Sequence, residues 1–319
     1  MRLKTILIDI MVISLAFLLF IMWHRNSIEH STQAASKNMK NYKVYLITAE
    51  KGYEYWQTVN QGAADMAAIA GVNYTWLAPA VRSTEEQIKL INQAIDSGAN
   101  ALIIAADDPK RVSYVIEDAK AKSIKIIYVD QPAYEEALVT LATDNYAAGV
   151  EAGKAMISNL NDMKITSGSI GIVNLTHKEN TALREQGFRD TFAQDGRFTV
   201  LDTMFTELDT PEESQAAAQR LIDENKDLVA LFGTSEGTTM GVGFANRANN
   251  NRYIAVGYDK TEVNTQLLRG GSLKAIIDQN PYTMGYLGMA EAIAAILGKS
   301  TGPRYINTGV TVVDINSLY

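Results

Sequence analysis

Short apolar runs rich in β-branched residues recur along the chain at Val44–Thr48, Ala101–Ala105, Lys125–Val129, Ser169–Val173, Leu228–Phe232, Tyr253–Tyr258 and Leu273–Ile277. Between them lie segments with helical spacing: Trp56–Ala70, Thr84–Ser97, Pro109–Lys122, Tyr146–Leu160, Asn180–Phe192, Glu212–Glu224, Met240–Ala248 and Tyr282–Leu297. Nearly unbroken apolar runs are what strands buried on both faces require. Their alternation with helices predicts parallel sheets covered by helices on each side. Helix starts carry capping signals in Ser83 or Thr84 ahead of Glu86 and Gln87, Asp108 ahead of Pro109, and Thr210 ahead of Pro211. Gly71 and Gly98 follow the expected helix ends at Ala70 and Ser97. About ten strand candidates after residue 41 are too many for one compact sheet of ordinary size, so two similar α/β lobes are expected. No short-period repeat points to a solenoid.

Ahead of this alternation, Arg2 and Lys4 precede an apolar run that reaches Trp23 and is interrupted by Asp9. Thr5–Trp23 is about 19 residues, close to the length that crosses a bilayer. A cleaved signal peptide competes with this reading, but the small-residue candidate for cleavage, Ala34–Ser36, lies roughly ten or more residues past Trp23, too far for a normal site. An uncleaved anchor over residues 1–24 is therefore expected. Arg2 and Lys4 against His24 and Arg25 put its N-terminus on the cytoplasmic side by a modest margin. Residues 25–41, rich in Ser, Asn, Gln and Lys, read as a polar stalk.

Composition narrows the chemistry. Hydrophobic residues at 47% and charged residues at 20% suit a globular core and exclude wholesale disorder. A net charge of −7 offers no basic surplus for nucleic acid. The absence of cysteine excludes disulfides, thiolate metal sites, a Cys nucleophile and a lipid-modified N-terminal Cys. Three histidines, His24, His30 and His177, leave little for a metal centre or triad, and no cofactor is implied. Gly241-Val242-Gly243 lies within a helical segment and lacks the third glycine of a dinucleotide fingerprint.

In open parallel sheets ligands bind beyond the carboxyl ends of the strands. The residues found there are Tyr53, Tyr55 and Trp56, then Asp107 and Asp108, Asp130, Ser235 and Glu236, Asp259, and Asp278 and Gln279, with Arg184 on the helix after Ser169–Val173. Carboxylates accept from pairs of hydroxyls, Arg and Gln donate, and an aromatic face covers the C–H face of a sugar ring, so the set suits a polyhydroxyl ligand. Each residue has a plainer reading too. Asp108 and Asp259 could cap the elements that follow, Tyr55 and Trp56 could be core residues, and Arg184 could be a surface helix residue. Asp108 and Asp259 could equally flank a scissile bond as in a glycosidase, yet strand-end carboxylates on two closing lobes suit binding, and no enzyme activity is expected.

From Tyr42 onward the chain resembles the type I periplasmic sugar-binding proteins of the ribose/xylose group. The resemblance rests on Tyr55-Trp56 ahead of Gly62, Ile103-Ile104-Ala105-Ala106-Asp107-Asp108, Ala142-Thr143-Asp144-Asn145 with Gly149, and Arg184-Glu185-Gln186-Gly187-Phe188. Val256-Gly257-Tyr258-Asp259 and Asp278-Gln279-Asn280-Pro281 complete it. It implies two doubly wound parallel-sheet lobes joined by a three-strand hinge, with crossovers near Asp130–Glu135, Gln279 and Gly298–Pro303. Residues 42–130 plus 280–300 would form one lobe and 131–279 plus 301–319 the other. It also implies that Tyr55 and Trp56 sandwich a sugar, and that Asp108, with Asp107 as competitor, supplies the first-lobe carboxylate. Arg184, Asp259 and Gln279 supply the second-lobe and hinge contacts, and Asn180 completes the ligand set. Ser235 stands where the family often has Asn, and a third aromatic would fall near Phe205 and Leu208.

Repressors of this fold carry an N-terminal helix-turn-helix, whose place is taken here by the apolar segment. Without a Cys and with an anchor, the chain resembles the membrane-anchored xylose-responsive proteins of clostridia. That resemblance implies a pentose such as xylose or ribose as ligand and a two-component histidine kinase as partner. The alternative is a sugar ABC transporter with its permease.

Overall fold

The computed structural model describes residues 39–176, 178–299 and 302–318. The expected membrane anchor and most of the stalk lie outside these residues. Among the described residues no helix is long and apolar enough to cross a membrane.

Strands β1 (Lys43–Ile47), β2 (Asn73–Leu77), β3 (Ala101–Ile104), β4 (Lys125–Val129), β5 (Val139–Ala142) and β12 (Tyr305–Asn307) form one sheet in the order β12-β5-β4-β3-β1-β2, parallel throughout. Strands β6 (Gly168–Leu175), β7 (Phe198–Val200), β9 (Leu228–Gly233), β10 (Ile254–Tyr258), β11 (Ala275–Asp278) and β13 (Thr311–Val313) form the second in the order β13-β11-β10-β9-β6-β7. The short β8 (Met204–Thr206) also pairs with β6, and β13 runs antiparallel to β11.

Helices α1 (Glu54–Ala70) and α9 (Pro281–Ile296) cover one face of the first sheet, and α2 (Thr84–Asp96) and α3 (Pro109–Ala121) the other. The second sheet lies between α4 (Asn145–Asp162) and α5 (Glu179–Asp195) on one face and α6 (Pro211–Glu224), α7 (Glu236–Ala248) and α8 (Glu262–Arg269) on the other.

The two-residue period of a strand explains why both faces must be covered. Along β3, Ala101 and Ile103 enter the core shared with α1 and α9, while Leu102 and Ile104 enter the core shared with α2 and α3. All four are fully buried, and each Leu or Ile contributes about 1.5–3 kcal/mol relative to exposure. The capping signals operate as expected: Ser83 accepts from Glu86 N, Thr210 from Glu213 N, and Gly71 adopts φ 72° as α1 ends.

Glycines set how closely the helices approach. A Cβ on Gly62 would stand 2.0 Å from Tyr282 O, and one on Gly285 1.9 Å from Val59 O, so α1 and α9 touch backbone to backbone. In the second lobe a Cβ on Gly149 would stand 2.0 Å from Arg184 O and one on Gly187 2.1 Å from Tyr146 O. This second contact fixes the backbone of Arg184 against α4.

The chain passes between the sheets three times, at 142–145, 278–281 and 307–311. The middle passage contains Gln279. The first lies later than the expected 130–135, because β5 pairs with β4 and so keeps residues 139–142 in the first sheet. The third lies later than 298–303, because β12 pairs with β5 at the edge of that same sheet. Residues 131–142 and 305–307 thus belong with the first lobe rather than the second.

Candidate functional site

The carboxyl ends of both sheets face one cavity between the lobes. From the first lobe, β1 leads into α1, whose first turn carries Tyr55 and Trp56 on the cavity wall. Their ring centroids lie 4.9 Å apart with planes at 83°, so they meet edge to face. They form one side of the cavity and not the two parallel plates of a sandwich. The Tyr55 hydroxyl donates to Asp130 Oδ1 at 3.1 Å.

Two aspartates stand in equivalent places in the two lobes. Asp130 follows β4 with φ 61°, and its N–H donates to Leu141 O of β5 at 2.9 Å. Asp259 follows β10 with φ 67°, and its N–H donates to Ile277 O of β11 at 3.0 Å. A left-handed conformation is uncommon outside glycine, and Asp tolerates it better than most residues. In both lobes this turn places a carboxylate on the cavity wall.

Arg184, only 2% exposed, links the second lobe to the hinge. Its Nε donates to Asn145 Oδ1 at 2.8 Å, and its terminal nitrogens donate to Thr234 O at 2.9 Å and Gln279 Oε1 at 2.5 Å. Its guanidinium lies 4.3 Å from the Tyr258 ring centroid. Gln279 Nε2 donates in turn to Asp259 Oδ1 at 2.6 Å. Asn145 and Gln279 sit on two of the three passages between lobes, so this network ties both passages to the cavity.

Ser235 caps α7, and its hydroxyl donates to Asp209 Oδ1 at 2.6 Å. Asn180, in the first turn of α5, also lines the cavity, with its Oδ1 accepting from Thr181 N at 2.9 Å.

The cavity therefore brings together Tyr55, Trp56, Asn180, Arg184, Ser235, Asp259 and Gln279 from the sequence-derived set. It leaves out Asp107 and Asp108. Asp108 caps α3, its Oδ1 accepting from Lys110 N and Arg111 N at 3.0 Å each. Asp107 stands behind the wall, accepting from Arg82 at 3.0 Å, Thr84 at 2.6 Å and Lys178 at 3.3 Å. The first-lobe carboxylate on the wall is Asp130. Phe205 and Leu208 are 59% and 63% exposed and do not line the cavity; Tyr53 is the third aromatic on its wall.

Arg82, Lys178 and Asp209 also line the cavity and were not read from sequence; Asp130 and Glu236 were noted only as strand-end residues. The strand-end rule selects Asp130 as it selects Asp259; the family resemblance gave the first-lobe role to Asp108 instead. Arg82 and Asp209 follow β2 and β8, strands without a continuous apolar run, and so offered no such signal.

The site is acidic, and its carboxyls are buried. Burial pushes the Asp259 carboxyl up to about 7, against the pull of Arg184 and the hydrogen bond from Gln279. Burial, reinforced by Asp259, pushes Glu236 up to about 8. Asp130 and Asp209 are also raised, chiefly by burial. Burial acts to raise Asp107 as well, but Thr84, Arg82 and Lys178 hold it below the usual range. Among the described residues no cluster of His, Cys, Asp and Glu is arranged to hold a metal ion. Such a wall supplies many acceptors and a few fixed donors around apolar ring faces, which is the complement of a polyol.

The chain is 23% identical over 282 residues to the D-ribose/D-allose-binding protein of Pseudomonas aeruginosa, covering 84% of this chain and 86% of that one. It is 25% identical over 289 residues to the xylose/arabinose-binding protein XylF of Sulfolobus acidocaldarius, covering 84% of this chain and 70% of that one. An ABC transporter solute-binding protein from Burkholderia graminis, solved with D-arabinose, shares the fold with a TM-score of 0.81 at 24% identity, over 88% of this chain and 97% of that one. The family model described as the periplasmic binding protein domain matches residues 44–300, and the chain belongs to that family.

Proposed function

We propose that this protein is a membrane-anchored extracytoplasmic receptor for a monosaccharide, a pentose such as xylose or ribose, and that it closes on its ligand and reports to a two-component histidine kinase. The observation that carries the ligand reading is the inter-lobe cavity, whose wall brings Asp130, Asp259 and Arg184 together with Tyr55 and Trp56. The sugars named for the ribose/allose and xylose/arabinose relatives support the pentose class. Asp130, Asp259 and Asn180 accept from sugar hydroxyls, Arg184 and Arg82 donate, and Tyr55 and Trp56 cover one face of the ring. Sugar held by both lobes stabilises the closed state by its differential affinity, without bond cleavage. The apolar run to Trp23 and the lack of a lipid-modifiable cysteine support the anchor. An anchored receptor stays within reach of one membrane partner at high effective concentration. The second reading, a sugar ABC transporter subunit, is favoured by the description of the Burkholderia graminis structure as a transporter component.

A thermal-shift screen of the full-length protein with D-xylose, D-ribose, arabinose and D-allose tests the ligand. A sugar present at 100 times its Kd stabilises by about 2.7 kcal/mol, and one pentose is expected to do so. No shift with any pentose or hexose at millimolar concentration refutes the ligand reading. Co-purification from membranes with that sugar tests the partner: a sugar-dependent kinase supports the sensor, and permease subunits without a kinase support the transporter.

A further inference from the structure

Among the helices that begin with a glutamate where the lobes meet are α1 with Glu54, α7 with Glu236 and α8 with Glu262. Each helix N-terminus carries about half a positive charge from its unpaired N–H groups. Closing the lobes brings α1 of the first lobe against α7 and α8 of the second, so that unpaired N–H groups of facing helix ends need acceptor oxygens between them.

Two of the glutamates do stand between them, and they reach in opposite directions. Glu236 crosses from the second lobe, its Oε1 accepting from Glu54 N at 3.3 Å and its Oε2 from Tyr55 N at 3.2 Å. The residue flanking α1, Tyr53, supplies no side-chain cap of its own. Glu54 crosses from the first lobe, its Oε2 accepting from Glu262 N at 2.8 Å. Ser235 and Thr261 already cap α7 and α8 from within the second lobe, which leaves Glu236 free to face the other side.

We propose that Glu54 and Glu236 form an exchanged-cap clasp, in which each lobe caps a helix of the other and thereby sets how strongly the protein closes on its ligand. The ligand part of this proposal rests on the binding reading above. Glu236 acts as a positioning residue for Tyr55, whose backbone it holds; Trp56 follows on the same turn. Both contacts exist only when the lobes meet, so they count wholly toward the difference between closed and open states. Glu54 stands outside the cavity wall, so changing it tests the clasp without removing a ligand contact.

The chain has no cysteine, so Val81→Cys and Leu208→Cys, at 77% and 63% exposed positions beside the cleft residues Arg82 and Asp209, accept spin labels cleanly. Inter-lobe distances are measured on the full-length protein with and without D-xylose or D-ribose, in the parent and in Glu54→Ala and Glu54→Gln. Glu54→Ala is expected to shift the distances toward the open form and to release the bound sugar about tenfold faster, as for a lost hydrogen bond to a charged group. Glu54→Gln keeps an acceptor oxygen for Glu262 N and is expected to recover part of both effects. Equal distance distributions and equal dissociation rates in parent and Glu54→Ala overturn the clasp. A parent that ignores every sugar while Glu54→Ala still opens it overturns the ligand reading alone and supports the clasp.

Discussion

Replacing Arg184 with Met removes a guanidinium that satisfies acceptors on three separate segments. Asn145 Oδ1, Thr234 O and Gln279 Oε1 lie 2.8, 2.9 and 2.5 Å from its nitrogens, and the Tyr258 ring centroid lies 4.3 Å from its carbon centre. Each hydrogen bond to a charged group is worth about 1.5–3 kcal/mol, but bonds sharing one donor are not additive. Breaking a buried charged cluster by deleting one partner costs about 3–5 kcal/mol, and that is the expected loss of stability. At roughly 2–4 °C per kcal/mol for a domain of this size, the midpoint of thermal unfolding should fall by about 10 °C. Arg184→Lys should recover less than half of this, because one compact ammonium cannot reach three acceptors arranged for a planar fork. The assay is calorimetry of parent, Arg184→Met and Arg184→Lys at one pH. A drop under about 2 °C for Met, or a Lys variant equal to the parent, would falsify the argument that Arg184 ties the hinge to the second lobe.

The carboxyl of Asp259 should impose a pH dependence on stability. Its folded value, about 7 against an ordinary 3.8, means that the folded protein keeps a proton the unfolded chain has released across that window. Stability should therefore fall as pH rises from about 4 to about 7, by up to about 1.4 kcal/mol per unit, and flatten above it. Urea midpoints between pH 4.5 and 7.5 should change less in Asp259→Asn than in the parent; parallel profiles would show that Asp259 is not the group responsible. Asp108→Ala should cost about 1 kcal/mol through the lost cap of α3 while leaving sugar affinity unchanged. A collapse of affinity in that variant, measured by calorimetric titration, would return Asp108 to the cavity.

The burial pattern explains how much could be read in advance. Strands such as Lys125–Val129 are buried on both faces, so they announce themselves as apolar runs, and the residues after them were readable as candidates without coordinates. The caps at Ser83, Asp108 and Thr210 are local chemistry and were equally legible. β2 has no fully buried residue, and β7, β8, β12 and β13 span three residues each, too little pattern to distinguish from loops. With β2 and β8 went Arg82 and Asp209, which follow them. With β5 and β12, whose place in the first sheet depends on pairing to distant strands, went the positions of two passages between lobes.

Period, composition and local capping are properties of the linear chain, and they were enough to specify two helix-covered parallel sheets, strand-end residues suited to a polyol, and no thiol chemistry. Which strand-end carboxylates face the ligand space was set only once the lobes were folded and packed. Asp108 and Asp130 both follow first-lobe strands, but Asp108 turns onto the N–H groups of its own helix, while Asp130 takes a left-handed backbone and lines the cavity, where it accepts from the Tyr55 hydroxyl. Packing also accounts for Gly62, Gly149, Gly187 and Gly285, poor helix formers locally that are required where helices touch backbone to backbone. The place of Asp130 and the need for these glycines depend on atoms distant in the chain, and no local pattern of hydrophobic and polar residues carries that information.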